Sequence, residues 1–141
     1  MFDTLLVAVD VADTHEATRA SEAAVRMARS EGASLHVLNV VPDSGMAIVG
    51  ASLGPEHSRK MVAQAKTSLE AWAAKSIPED VKAELHVSVG TIYDQIIRVA
   101  GQLKVDAIFV GANRPELRDY LMGPNAARVA RHATQSVFVV R

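Results

Sequence analysis

The sequence contains no cysteine, which excludes disulfide bonds, thiolate metal sites and cysteine nucleophiles. This composition suits a reducing compartment, and we expect a cytoplasmic protein. No apolar run approaches the roughly 18 residues that a membrane-spanning helix needs. The opening segment, MFDTLLVAVD, contains two aspartates and no basic residue, so it is unlike a secretory signal. A membrane is therefore not an expected partner.

The sequence also lacks an excess of charge of either sign. Its 15 basic and 16 acidic residues give a formal net charge of -1. No basic stripe with interleaved aromatic residues is present, and nucleic-acid-binding domains usually carry one. Nucleic acid is therefore not an expected partner. The length of 141 residues is typical of one domain that folds unaided, and we assign residues 1–141 to a single domain.

Short runs rich in Val, Ile, Leu and Phe predict five buried strands, at residues 4–9, 34–41, 82–89, 107–111 and 136–140. Helical spacing of apolar residues predicts helices at residues 15–31, 56–75, 92–103 and 126–133. Continuously apolar strands that alternate with helices are typical of a parallel sheet covered on both faces. The sequence therefore predicts a doubly wound α/β domain. Any ligand should lie beyond the carboxyl ends of the strands, at the topological switch point.

One predicted connection is unusually long. Residues 42–55, PDSGMAIVGASLGP, contain three glycines and one charged residue. A connection of this length without secondary structure is usually a functional lid or a mobile loop. We predict such a loop here and expect a bound ligand to order it.

The residue that follows the first predicted strand is Asp10. A carboxylate at this position can hydrogen-bond a ribose or a base, and the alternative is an ordinary solvated loop aspartate. The segment lacks the glycine patterns of dinucleotide-binding folds and of P-loops. The third predicted strand ends in Ser88, Val89 and Gly90, without the acidic residues that a phosphate-accepting receiver domain requires.

The fourth predicted strand ends at Gly111, and a new helix begins near Gly123. Gly111 allows a close approach to the backbone, Gly123 can adopt a positive φ, and Pro124 suits a first helical turn. The N–H groups that begin this helix carry partial positive charge and suit a phosphate. Arg114 and Arg118, in the preceding loop, offer bidentate donors to the same group. The alternative is an ordinary strand–loop–helix joint with solvated arginines.

These segments resemble the universal stress protein family, in particular its F/G-type bacterial branch. The resemblance covers the whole chain and is most specific at residues 5–10 and 111–141. Nucleotide-binding members carry glycine, two residues, glycine, nine residues, glycine, then Ser or Thr. Here Gly111 and Gly123 take the first and last glycine positions, Arg114 replaces the middle glycine, the second interval is eight residues, and Pro124 replaces the Ser or Thr.

The resemblance implies a Rossmann-like fold of the adenine nucleotide alpha hydrolase type, with sheet order 3-2-1-4-5. It implies a regulator without catalytic residues that binds ATP, ADP or AMP, with Mg²⁺ held through the phosphates. The implied binding residues are Ala8, Val9, Asp10, Val40, Val110, Gly111, Ala112, Asn113, Arg114, Gly123, Asn125 and Ala126. A relative that has lost nucleotide binding and acts on a protein partner is the alternative, and a nucleotide hydrolase is less favoured.

The last predicted strand, residues 136–140, is apolar and would lie at an edge of this sheet. Pairing with its copy in a homodimer would protect the edge, and coverage by the chain itself is the alternative. The resemblance implies the same dimer or a higher oligomer, with an unknown protein partner. The five histidines form no local zinc motif and the serines no acyl-transfer motif, so we expect neither a metal site nor a catalytic serine.

Overall fold

The computed structural model describes residues 1–11, 14–42, 44–112 and 123–141, and the side chains of these residues except 14–17 and 44–54. Strands and helices alternate along the chain as β1 (Thr4–Ala8), α1 (Thr14–Glu31), β2 (Ser34–Val41), α2 (Ser44–Ser76), β3 (Ala83–Val89), α3 (Ile92–Gln102), β4 (Ala107–Gly111), α4 (Pro124–His132) and β5 (Ser136–Val140). The strands form one parallel sheet in the order β3-β2-β1-β4-β5. The predicted doubly wound α/β fold and its sheet order are confirmed.

The central strand β1 is buried on both faces. Leu5, Leu6 and Val7 are consecutive and fully buried, although successive side chains of a strand point to opposite faces. This pattern requires helices on both sides of the sheet, as predicted from the continuous apolar runs.

One apolar core therefore lies on each face of the sheet. The α1–α2 core is formed by Leu5, Val7, Val9, Ala20, Ala24, Val25, Ala28, Leu35, Val37, Leu69, Trp72, Ala107 and Phe109. The α3–α4 core is formed by Leu6, Leu38, Ile96, Val99, Ala100, Val105, Ile108, Val110, Ala126 and Val129. Each core joins two helices to the same three central strands, so removal of either helix pair would expose the middle of the sheet.

The predicted loop at residues 42–55 is wrong for most of its length, because helix α2 begins at Ser44 and contains Pro55. Glycine costs a helix about 1 kcal/mol relative to alanine, and proline costs about 3 kcal/mol. A helix that is already formed extends at one hydrogen bond per residue. The later part of α2 is anchored in the α1–α2 core by Leu69 and Trp72, and this tertiary contact overrides the local preference.

Among the described residues, no helix has both the length and the apolar character needed to cross a bilayer.

Candidate functional site

The carboxyl ends of β1 and β4 lie side by side at the centre of the sheet. Val7 of β1 is paired with Phe109 of β4. The chain then leaves β1 through α1 on one face, and it leaves β4 towards α4 on the other face. Helices α1 and α4 therefore lie on opposite faces beside this pair of strands, which is the topological switch point where ligands bind in this class of fold. We call the space beyond these two strand ends the crevice.

The segment after β1 is fixed to β2 by hydrogen bonds. The Val9 N–H donates to the Leu38 carbonyl at 2.9 Å, and the Asn39 side-chain amide donates to the Val9 carbonyl at 2.9 Å. The Asn39 side chain is buried, and Val9 packs in the α1–α2 core. Val9 therefore shapes the crevice through its backbone, and the next residue, Asp10, lies exposed at the rim.

Sequence reasoning missed Asn39. The available signal was a single amide inside the otherwise apolar end of β2, LHVLNVV. A buried amide needs a partner, and the partner is a carbonyl at the edge of the crevice.

The two ends of the segment between β4 and α4 meet in space. The Ala112 N–H donates to the Val140 carbonyl at 2.8 Å, and the Gly123 N–H donates to the Ala112 carbonyl at 2.7 Å. Ala112 is buried and fixes the geometry of this joint. Its N–H is already bonded to the Val140 carbonyl.

Gly123 does not use the positive φ that is open to a glycine. Gly123 has φ -57° and ψ 149°, an extended conformation that lets its N–H reach the Ala112 carbonyl. Gly123 is buried, and a Cβ atom there would lie 3.4 Å from the Ala112 carbonyl oxygen. A Cβ atom at this distance would make an ordinary van der Waals contact, and no left-handed turn requires glycine here.

Helix α4 points its amino terminus towards this joint. Pro124 occupies the first helical turn, and the first helical bond runs from the Ala127 N–H to the Gly123 carbonyl at 3.0 Å. The N–H groups of Asn125 and Ala126 have no acceptor within the helix, because the residues four positions earlier precede it. Ala126 is anchored in the α3–α4 core, so this group of donors is held in place beside the end of β4.

The α3–α4 face of the crevice has an apolar wall. Ala8 and Val40 are partly buried and pack on the α3–α4 core, and Val110 belongs to that core. Ala8, Val40 and Val110 come from β1, β2 and β4, which are adjacent strands. Most of the residues predicted for the site therefore gather at the carboxyl ends of the central strands. Asn113, Arg114 and Arg118 lie outside the described residues.

A second group of polar side chains lies on the sheet away from this crevice. His36 Nδ1 is 2.9 Å from His86 Nε2 and 3.5 Å from Glu84 Oε2. Burial, followed by the neighbouring His36, lowers the pKa of His86 below its ordinary value of 6.5, while Glu84 acts in the opposite direction. Sequence reasoning missed this group because it tested histidine spacing along the chain, whereas His36 and His86 lie 50 residues apart.

Comparison with known proteins agrees with this architecture. The sequence matches the universal stress protein family over residues 1–141. Universal stress protein G of Salmonella typhimurium is 27% identical over 143 residues, covering 100% of both chains. The universal stress protein UspA of Lactobacillus plantarum is 25% identical, with a TM-score of 0.71 and coverage of 99% of this chain and 97% of that one.

A third relative was solved with a nucleotide. The universal stress protein of Archaeoglobus fulgidus, in complex with dAMP, has 24% identity and a TM-score of 0.69, and the comparison covers 99% of this chain and 98% of that one. The chain described here is α/β, with a Rossmann-like sheet and a crevice at its switch point. It belongs to the universal stress protein family.

Proposed function

We propose that the chain is a regulatory adenine-nucleotide-binding protein whose site is the crevice between the carboxyl ends of β1 and β4. One observation carries the proposal. The joint between Ala112 and Gly123 holds the first N–H groups of α4 beside the end of β4, where a phosphate is favoured. The dAMP complex of the Archaeoglobus protein supports an adenine nucleotide as the ligand class.

Each part of a nucleotide has a matching part of the crevice. The apolar wall of Ala8, Val40 and Val110 suits a base, and Asp10 offers a carboxylate to ribose hydroxyls. The N–H groups of Asn125 and Ala126 suit a phosphate, with Gly111 leaving room for close approach. We assign Arg114 to the phosphates from its sequence position, and Mg²⁺ would be held through those phosphates.

We further propose that the nucleotide acts as a signal to a protein partner in the cytoplasm and not as a substrate to be consumed. Ligand contacts at Asp10 and in the segment 112–120 would alter the surface that the partner meets; residues 113–120 lie outside the described residues. Residues 44–55 belong to helix α2, so no loop is left there for a ligand to order.

A second candidate is a family member that has lost nucleotide binding and works as a protein-interaction module. It is favoured by Pro124, which occupies the first helical turn. Proline has neither an N–H nor a hydroxyl to offer a phosphate. One lost hydrogen bond to a charged group is worth about 1.5 to 3 kcal/mol. A loss of this size would weaken nucleotide binding substantially.

The experiment that separates the two candidates is thermal denaturation of nucleotide-stripped protein with ATP, ADP, AMP and GTP, each with magnesium. Ligand at 100 times its dissociation constant should stabilise the protein by about 2.7 kcal/mol. We expect this increase with adenine nucleotides for the wild type, and a loss of most of it in Gly111→Val and Asp10→Ala. Arg131→Ala, in the last turn of α4 and exposed, is the matched control and should respond like the wild type.

Two results would count against the nucleotide proposal. If no nucleotide changes the melting temperature of the stripped wild type, the interaction module becomes the better description. If adenine nucleotides stabilise the wild type and both crevice variants equally, the ligand binds elsewhere on the protein.

We also propose a homodimer, or a higher oligomer built from it, formed through β5. Strand β5 pairs with β4 at one edge of the sheet. Val137, Phe138, Val139 and Val140 remain partly exposed. An apolar edge of this kind is usually paired or covered, since an exposed one invites aggregation.

A further inference from the structure

His36, Glu84 and His86 are brought together by the register between β2 and β3. The parallel pairing places His36 opposite Glu84, and His86 follows two residues later opposite Leu38. Residues two apart in a strand share a face, and directly paired residues of neighbouring strands share it as well. All three side chains therefore project from the same face of the sheet, on its β3 edge.

The ligand atoms have the spacing of a metal site. His36 Nδ1 lies 2.9 Å from His86 Nε2 and 3.5 Å from Glu84 Oε2, and all three atoms lie within 4.8 Å of one another. Two ligand atoms about 2.0–2.1 Å from a tetrahedral Zn²⁺ ion are about 3.3 Å apart. One of the two separations from His36 Nδ1 is shorter than this distance and the other is longer. Small side-chain rotations therefore suffice to admit an ion.

The surroundings also suit an ion. The His36 side chain is only 12% exposed, whereas the Glu84 side chain is 70% exposed. The two imidazoles are partly buried on paired strands, and the exposed Glu84 carboxylate can complete the set after the ion enters. Three protein ligands leave one tetrahedral position for water or an external group.

This group is separate from the nucleotide crevice. His36 lies four residues before Val40, near the amino end of β2, and four residues of a strand span about 13 Å. The inference therefore stands whether or not the protein binds a nucleotide.

We propose that His36, Glu84 and His86 form a binding site for a divalent transition-metal ion, with Zn²⁺ as the representative ion. Two imidazoles and one carboxylate are nitrogen and oxygen donors of the type that Zn²⁺ accepts. Without the ion, one imidazole donates a hydrogen bond to the other. Binding replaces this bond with two metal–nitrogen bonds, and the proton between the rings moves through solvent to the other ring nitrogen of the donating histidine, so that both imidazoles remain neutral.

The test is isothermal titration calorimetry of untagged, EDTA-treated full-length protein with zinc chloride near neutral pH. We expect one Zn²⁺ per chain. Affinity should fall at least tenfold in His36→Gln and in His86→Gln, and less in Glu84→Gln. The control is His132→Gln, which removes an exposed histidine of α4 and should leave the titration unchanged. Circular dichroism of each variant checks that the fold is retained.

Cobalt provides an independent readout. Co²⁺ in a tetrahedral site should give visible absorption bands in the wild type and in His132→Gln, and these bands should be lost in His86→Gln. The proposal is overturned if wild type binds zinc no more tightly than the doubly substituted His36→Gln, His86→Gln protein. It is equally overturned if the strong binding disappears with His132.

Discussion

Asp106 connects the beginnings of β1 and β4 through one carboxylate oxygen. Its Oδ2 accepts the Asp3 N–H at 2.8 Å and the Thr4 N–H at 2.9 Å, and its own N–H donates to the Thr4 carbonyl at 2.8 Å. The hydrogen bonds from Asp3 and then Thr4 hold the pKa of Asp106 below its ordinary value of 3.8. The charged form is therefore favoured in the folded protein.

We predict that Asp106→Asn lowers stability at pH 7, because the amide oxygen is a weaker acceptor for these two N–H groups. A depressed carboxyl pKa stabilises the fold above the unfolded pKa, and this contribution is lost as pH falls through the folded pKa. The stability difference between wild type and variant should therefore stay constant down to about pH 5 and shrink below 3.8. Urea denaturation at a series of pH values measures it.

Glu79→Gln is the control for the Asp106 variant, since it removes one negative charge from an exposed residue. If the deficit of Asp106→Asn persists unchanged in the acid range, the two backbone hydrogen bonds are not its cause.

At the scale of elements, helix α3 has one glycine just before it and one inside it, and the two require glycine to different degrees. Gly90, between β3 and α3, has φ +150°, and a Cβ atom there would lie 2.7 Å from Gln95 Nε2. The Gln95 side chain is flexible and can move away, but the backbone conformation is one that L-residues rarely adopt. Gly101, inside α3, has nothing within 4 Å of the position that a Cβ atom would take.

We predict opposite effects of alanine at these two positions. Gly90→Ala should destabilise the protein by about 1–3 kcal/mol, because it forces a strained backbone conformation. Gly101→Ala should stabilise it by about 0.5–1 kcal/mol, because alanine restricts the unfolded chain and favours the helix. Guanidinium denaturation of the two variants measures both. Equal effects at the two sites would show that the φ of Gly90 is not what requires glycine.

At the scale of the whole molecule, β5 has one strand edge turned away from β4. The Val140 carbonyl accepts the Ala112 N–H, so the backbone groups of Val140 face β4. Backbone groups alternate sides along a strand, which turns the N–H of Val139 to the outer edge. The strand is held firmly from within, because Phe138 stacks on Phe109 with ring centroids 4.7 Å apart.

We predict that Val139→Pro abolishes the proposed dimer and leaves the monomer folded. Proline removes an outward N–H, which an edge strand tolerates but an intersubunit ladder does not. Val139→Thr keeps both the N–H and the β-branched shape, and should remain dimeric. Sedimentation velocity over a range of concentrations distinguishes the two. A Val139→Pro protein that still sediments as a dimer would place the interface elsewhere.

The sequence by itself determined the class of fold, because apolar runs and helical spacing are properties of a few consecutive residues. It also placed Gly111 at the end of β4, and Asp10 and Gly123 after the strands whose ends meet at the crevice. Tertiary structure alone decided the conformation of Gly123, because its N–H bonds to the Ala112 carbonyl. It also decided that residues 44–55 are helical, because they continue a helix that is anchored in the core.

Tertiary structure also decided which distant side chains meet. Asn39 reaches the Val9 carbonyl, and His36 reaches His86 across 50 residues of chain. The physical reason is strand register. A shift of one residue between β2 and β3 would turn His86 to the opposite face of the sheet from His36, and no local pattern in the sequence encodes that register.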